Sequence, residues 1–481
     1  MDWISESWLW AAIATLLWLG GLIASFHAVM QVRSERAAIA WGIGLLAMPA
    51  IALPVYAIFG RRKFGGYREA IGRALEEHET LITKARANMA PHYLEGDQLP
   101  SPLCRSLEAI NRYPFTSGNH LELLIDGQAT FDAIAGAMAA AEEYILFQFF
   151  IIHDDELGRR MKDLLIERAR AGVRVHFLYD EIGSIKLPQR YKRELREAGV
   201  EVDEFGTRRG RANRFQVNFR NHRKIVVVDG RVAFVGGHNV GDEYLGKSEK
   251  FGPWRDTHVQ IDGPAVLQCQ AVFLSDWYWA TGKLPEVCID PQVTDSASSP
   301  GGALIMPTGP ALNLEVCQMA LQAIINGATQ RLWIASPYLV PDEATLTALK
   351  FAAKRGVDVR LMIPAIKDHL IVYLAGFSFF EEMEEAGIQL LRYDNGFMHQ
   401  KVILVDDHLA GVGTVNLDNR SISLNFEITA FSLEDDFIGA VEQMLEEDFK
   451  FCTPATGADF HDRPLHFRIA VRIARLFSPI L

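Results

Sequence analysis

One ten-residue pattern occurs twice in this chain. NHRKIVVVDG at 221–230 and MHQKVILVDD at 398–407 both read H-x-K-x4-D, with His222, Lys224 and Asp229 in the first copy and His399, Lys401 and Asp406 in the second, 177 residues later. The register continues downstream, where Gly236 and Asn239 of GGHN match Gly413 and Asn416 of GTVN. One copy could arise by chance. Two copies in register, each with its flanking Gly and Asn, confine the chain to folds built from two versions of one unit.

The segments ahead of each copy repeat as well. Tyr144–Ile152 is an apolar, aromatic run that reads as a buried strand; a helical period follows over Glu156–Ala171, then a second strand over Val173–Tyr179. The order returns with a strand at Arg331–Ala335, a helix at Glu343–Lys354 and a strand at Val357–Ile363. Strand–helix–strand order in both halves predicts an α/β fold: two duplicated domains with buried sheets, packed about a pseudo-two-fold axis. Gly172 and Gly356 are 184 residues apart, against 177 for the motifs, so about seven extra residues are expected ahead of the first motif. The turn-rich VTDSASSPGG at 293–302 is the expected join.

Of the 481 residues, 49% are hydrophobic, and the excess is concentrated at the start. Trp8–Met30 and Ala37–Phe59 contain no Asp, Glu, Lys or Arg. At ~1.5 Å rise per residue each is long enough to cross a hydrocarbon core of roughly 30 Å. An acidic start with no basic leader or small-residue cleavage site argues against a signal peptide. Arg61, Arg62, Lys63 and Arg68 follow the second stretch, whereas the loop between the two has Arg33 and Arg36, so the domains are expected on the cytoplasmic side of a cell (inner) membrane, multi-pass. Five widely spaced cysteines fit a reducing compartment.

The expected organisation is a two-helix transmembrane anchor over 1–63, a mainly helical connector over 64–118, a first α/β domain over 119–292, the linker, a second over 303–460 and a basic amphipathic helix over 461–481.

The motif chemistry suits a phosphodiester. On a strand, His and Lys two residues apart share a face, so each copy offers half a site. If the halves converge, two ammonium groups neutralise non-bridging oxygens, one imidazole attacks phosphorus and the other protonates the leaving oxygen. A lysine beside each histidine argues against a metal site, because it would repel the cation and supplies the same charge; no cofactor is implied. A net charge of −12 argues against nucleic acid.

The doubled H-x-K-x4-D with GGHN and GTVN resembles the phospholipase D superfamily, and with two leading apolar helices the chain is similar to its bacterial cardiolipin synthases over nearly its whole length. The resemblance implies transfer of a phosphatidyl group between two phosphatidylglycerol molecules, giving cardiolipin and glycerol through a phosphatidyl-histidine intermediate in an anionic membrane. A phospholipase, or a phosphatidyltransferase with another donor or acceptor, is the alternative. The N-terminal motif of such enzymes provides the nucleophile, which makes His222 the attacking group and His399 the general acid and then base; the residues alone leave that symmetry open.

The resemblance also implies that Lys224, Lys401, Asn239 and Asn416 hold phosphate oxygens, and that an acidic residue downstream orients each histidine: Asp256 in WRDTHV and Glu427 in NFEITA. Asp229 and Asp406 complete the catalytic motifs; standing at strand ends, they are expected to brace their turns, and their substitution is still expected to damage activity. RRGRANRFQVNFRNHRK at 208–224 has seven basic residues and no acidic one, and either is a solvated loop or guides anionic head groups. Arg468, Arg472 and Arg475 recur with apolar residues between them, the pattern of a helix lying on an anionic membrane.

Overall fold

The computed structural model describes residues 2–32, 35–60, 63–207, 218–293, 301–312 and 315–481. The chain divides into two compact units, residues 1–68 with 207–219, and residues 69–206 with 220–481. Most of the 293–302 linker, and Arg208, Arg209, Arg211 and Arg214 of the basic run, lie outside the described residues.

In the first unit α1 (Asp2–Gln31) packs against α2 (Glu35–Ala47) and α3 (Pro49–Phe59). The second apolar stretch is therefore two helices, where one was expected. Pro49 has no amide hydrogen to donate and its ring disfavours helical backbone at the preceding residue, so Met48 leaves the helix with φ −140° and ψ 62°. Among the described residues only Trp8–Gln31 is a single helix long and apolar enough to cross a membrane. Ala28, Leu45 and Tyr56 are buried between these helices, and His27 Nδ1 lies 2.8 Å from the Tyr56 hydroxyl. A Cβ on Gly21 would come within 2.4 Å of the Leu45 carbonyl, so the close approach of α1 and α2 requires glycine there.

The second unit contains two sheets of the same design. In the first, β1 (His120–Ile125), β2 (Tyr144–Phe149), β3 (Arg174–Asp180), β4 (Glu201–Phe205), β6 (Ile225–Val228), β7 (Val232–Gly236) and β9 (Thr257–Asp262) lie in the order β1-β9-β7-β6-β2-β3-β4. The two-residue strands β5 (Arg220–Asn221) and β8 (Trp254–Arg255) stand outside it. The second sheet begins with β10 (Ala303–Thr308) and β11 (Arg331–Ala335); β12 (Leu339–Val340) lies apart; β13 (Asp358–Pro364) and β14 (Gln389–Tyr393) follow. After β15 (Phe397–Met398) come β16 (Val402–Val405), β17 (Leu409–Gly413), β18 (Leu417–Asp418), β19 (Asn425–Ser432) and β20 (Cys452–Pro454). Their order, β10-β19-β17-β16-β11-β13-β14-β20, matches the first sheet strand for strand and adds β20 at the edge.

In each sheet three parallel strands, β2-β3-β4 or β11-β13-β14, adjoin antiparallel ones. Every residue of β2 and β6 is buried, as strands covered on both faces must be, which is why these runs are apolar without alternation. Phe131, Phe147, Phe177 and Met161 fill one core and Leu332, Leu349, Leu361 and Met383 another.

The length difference between the halves is not a single insertion. β4 and β14 start 188 residues apart, so the first half has 11 extra residues ahead of its motif and the second has four extra after β13. The expected seven is the difference between two opposite insertions.

Candidate active site

Neither H-x-K lies on a strand, contrary to the expectation that both would. His222–Lys224 fill the three-residue gap between β5 and β6, and His399–Lys401 the gap between β15 and β16. The gap exists because the backbone changes partners there. β5 pairs in parallel with β19 of the other half, and the His222 amide donates to the Phe426 carbonyl at 2.9 Å. β15 pairs in parallel with β8 of the first half, and the His399 amide donates to the Arg255 carbonyl at 2.8 Å. Past the lysine each chain joins its own sheet.

This exchange gives each histidine a carboxylate from the opposite half. His222 Nδ1 is 2.8 Å from Glu427 Oε2, and His399 Nδ1 is 2.7 Å from Asp256 Oδ2. All four side chains are buried. With Nδ1–H donated to the carboxylate, each ring presents Nε2 as its reactive nitrogen. A Cβ on Gly237 would sit 2.0 Å from Asp256 Oδ1, which explains the second glycine of GGHN.

Lys224 and Lys401 are buried beside them, and Lys224 Nζ donates to the His222 carbonyl at 2.7 Å. Lys401 Nζ donates to the His399 carbonyl and stands 2.9 Å from His399 Nδ1. Burial pulls the Lys224 ammonium down to about 7 and that of Lys401 to about 8. Burial, then Lys401, brings His399 down to about 4; burial also lowers His222, against the pull of Glu427. Burial opposes the charged form of both carboxylates, but nearby imidazoles and the buried lysines hold Glu427 and Asp256 below their usual range. At neutral pH the site therefore sets two carboxylates against a charged Lys401 and a half-protonated Lys224, with both imidazoles neutral.

The motif aspartates point elsewhere. Asp229 accepts from the amides of Glu142, Glu143 and Tyr144 at 2.7–2.8 Å, and Asp406 from those of Thr329, Gln330 and Arg331. Both adopt left-handed backbone, φ 53° and 48°, which Asp tolerates better than most residues. Asn239 is occupied: its Oδ1 accepts from the Ile151 amide at 3.1 Å and its Nδ2 donates to the Tyr244 hydroxyl at 3.0 Å. Asn416 lines a small cavity with Lys401 and Ser336, and its buried Oδ1 has no hydrogen-bond partner among the described residues.

Several residues around the site carried no signal in the motif search. Arg223, the middle residue of H-R-K, meets Asp276 Oδ1 at 2.7 Å and donates to the carbonyls of Glu427 and Thr308 in the other half. Arg255, just before Asp256, meets Asp448 Oδ1 at 2.8 Å, and Gln400 donates to Asp448 Oδ2 at 2.8 Å. Asp276 and Asp448 stand 20 and 21 residues after Asp256 and Glu427, a repeat that would have revealed them. Trp254, Phe397 and Tyr244 surround the His399 ring, while Phe150 faces His222. Among the described residues no group of three or more His, Cys, Asp or Glu side chains is arranged to hold a metal.

Comparison with known proteins identifies the family of the chain. The family described as "Cardiolipin synthase, PLD-like domain" matches residues 134–277 and 321–449. Cardiolipin synthase A of Pseudomonas putida (strain GB-1) is 47% identical over 472 residues, 97% of each chain, and that of Pseudomonas fluorescens (strain SBW25) is 46% identical over 487 residues, 100% of each. The solved phosphatidylserine synthase of Haemophilus influenzae Rd KW20 shares the fold, with a TM-score of 0.60 at 16% identity, covering 79% of this chain and 100% of that one. Two matched repeats and relatives of this identity along the full length establish that the chain belongs to the cardiolipin synthases of the phospholipase D superfamily and is a phosphatidyltransferase.

Proposed function

We propose that the enzyme joins two phosphatidylglycerol molecules through a phosphatidyl group carried on His222. In the first step His222 Nε2 attacks the donor phosphorus, the bond from phosphorus to the terminal glycerol oxygen breaks, and His399 gives that oxygen its proton. In the second, His399 takes the proton from a hydroxyl of the acceptor lipid as its oxygen displaces His222. Cardiolipin and glycerol are the products. The observation that carries this reading is the reciprocal pairing of His222 with Glu427 and His399 with Asp256, each across the two halves. A neutral, oriented imidazole is what the attacking group needs.

Lys224 and Lys401 hold the non-bridging oxygens, where buried ammonium groups act more strongly than in water. Asn416, which lines a cavity with Lys401, adds contacts there by donating from Nδ2, while Asn239 fixes the loop through Tyr244. Asp229 and Asp406 serve as braces. Phosphatidylglycerol is donor and acceptor, and the halves stand in a pseudo-two-fold relation. α1 spans the inner membrane, and the α/β domains lie on its cytoplasmic side, as the basic residues that follow the second apolar stretch favour.

Acid quench of the enzyme mixed with phosphatidylglycerol vesicles, followed by peptide mass spectrometry, is expected to find the phosphatidyl adduct on His222. An adduct confined to His399 would reverse the roles. Phosphatidic acid formed in place of cardiolipin would make the enzyme a phospholipase.

A further inference from the structure

The contacts of α3 set its direction. α2 runs antiparallel to α1: Gly21 of α1 lies against the Leu45 carbonyl near the end of α2, and a Cβ on Gly42 would lie 3.4 Å from Ser25 Oγ. Were α3 to continue in that direction, Tyr56, eleven residues on from Leu45, would lie eleven residues back from Gly21, beside Trp10. It lies instead beside His27, whose Nδ1 is 2.8 Å from its hydroxyl, and its ring meets that of Trp41 at 5.0 Å. At ~1.5 Å rise per residue, Trp10 and His27 are about 25 Å apart along α1. Pro49, which opens α3, is back at Gly21, where a Cβ would come within 3.0 Å of its own. α3 therefore runs parallel to α1 and returns along α2, so that a Cβ on Gly44 would lie 4.0 Å from that of Ala52. The two short helices form a hairpin with Met48 at its tip.

Such a hairpin does not reach across a bilayer. α2 has 13 residues and α3 has 11, about 20 and 16 Å of helix against a hydrocarbon core of roughly 30 Å. Its tip stands level with Gly21, ten residues from the end of α1 at Gln31, which is a depth of about 15 Å, or half the core. The tip also suits hydrocarbon. Residues 45–51, LLAMPAI, contain no polar side chain, and Leu46, Met48 and Ile51 are exposed. The Met48 amide donates to the Gly44 carbonyl at 2.9 Å, and the Met48 carbonyl accepts from the Ala52 amide at 2.9 Å. The Leu45 carbonyl, whose helical donor would be the amide that Pro49 lacks, is covered by Gly21. These groups are paired or covered by protein, as non-helical backbone at membrane depth must be.

We propose that α1 crosses the bilayer once and that α2 and α3 form a re-entrant hairpin held in the cytoplasmic leaflet, which leaves the start of α1 in the periplasm. The second crossing expected from the length of Ala37–Phe59 is not made, because the chain turns back at Pro49. The inference rests on the reading that α1 spans the inner membrane with the α/β domains in the cytoplasm. It also gathers the basic residues on one side. Arg33 and Arg36, between the apolar stretches, then share the cytoplasmic side with Arg61, Arg62, Lys63 and Arg68, whereas the residues before Trp8 include Asp2 and Glu6 and no Lys or Arg. Two crossings would instead leave Arg33 and Arg36 outside.

Cysteine labelling of the full-length enzyme in a bacterial host tests the sidedness. Ser5→Cys reports the start of α1, Ser34→Cys the segment after its end, and the native, partly exposed Cys288 the α/β domains. A membrane-impermeant maleimide is added to intact spheroplasts or to inverted vesicles, and peptide mass spectrometry locates the adducts. Ser5→Cys is expected to react in spheroplasts only, and Ser34→Cys, together with Cys288, in inverted vesicles only. Ser34→Cys reacting in spheroplasts while Ser5→Cys and Cys288 react in inverted vesicles is the pattern of two crossings and would overturn the proposal. All three on one side would overturn it as well. Ser34→Cys and Cys288 reacting in spheroplasts, with Ser5→Cys reacting in inverted vesicles, would uphold the single crossing and reject the cytoplasmic placement of the domains.

Discussion

His222 and Glu427 lie 205 residues apart in the chain and 2.8 Å apart in the fold, across the boundary between the two α/β domains. Asp256 and His399 repeat the arrangement in the opposite direction. Each imidazole is thus oriented by a carboxylate that its own domain does not supply, and neither half-site is complete alone.

Replacing either carboxylate by its amide should therefore disable the site without removing packing volume. Glu427→Gln and Asp256→Asn are each expected to lower kcat for cardiolipin formation by about 10²–10⁴-fold, since the amide no longer stabilises the correct tautomer or the imidazolium. Glycerol release measured in the first turnover should fall in both variants, because His222 attacks and His399 protonates the leaving oxygen in that same step. Near-normal rates would remove that carboxylate from the mechanism.

The lowered lysines set an alkaline limit. Lys224 at about 7 and Lys401 at about 8 are charged below those values and neutral above them, so attraction for the phosphodiester is lost as pH rises. kcat/KM, which reports the free enzyme, should decline on the alkaline side between about pH 7 and 8. kcat should decline at higher pH, because the bound phosphodiester stabilises both ammonium groups. A pH profile of both parameters on mixed micelles checks the difference.

Substrate binding should also bring in a proton. Free His399 is neutral at pH 7, held at about 4 by burial and by Lys401, yet it must donate a proton in the first step. A bound monoanion offsets the lysine charge and raises the imidazole. Calorimetric titration at pH 7 with a phosphonate analogue of phosphatidylglycerol, in two buffers of different ionisation enthalpy, should show uptake of about one proton at His399 beyond the fraction that Lys224 gains. His399→Gln should lower the uptake by about one proton while binding persists.

Asp229 tests the difference between bracing and catalysis. Asp229→Ala leaves three backbone amides without their acceptor, at about 1–3 kcal/mol for each that water cannot reach. It also forces alanine into left-handed backbone. The expected result is a melting temperature lowered by several degrees, with kcat per folded molecule changed only a few-fold. Asp229→Asn should lose less stability, because asparagine keeps an acceptor oxygen and tolerates that conformation.

The residues of the two motifs and the strand–helix–strand succession ahead of each were legible in the sequence because repetition and local periodicity reveal them. Tyr144–Phe149 and Ile225–Val228 are buried on both faces, so each had to be an unbroken apolar run. Asp256 and Glu427 could be selected too, since they repeat at 171 residues, close to the motif spacing. Their partners could not be read. A repeat states that two segments are alike; whether His222 takes its carboxylate from its own copy or from the other depends on β5 leaving its sheet to pair with β19. The same long-range pairing pulled H-x-K off the strand that periodicity assigned it. The break at Met48, by contrast, follows from Pro49 alone and was available in the sequence.

The sequence by itself determined a duplicated α/β chain with an apolar start and two imidazole–ammonium pairs, because patterning and covalent order are local properties. Only the tertiary structure decided which carboxylate serves which imidazole, how the insertions are divided between the halves, and that one of them builds the helix Leu370–Phe377. Those depend on hydrogen bonds and packing between residues about 140–200 positions apart, which no local pattern encodes.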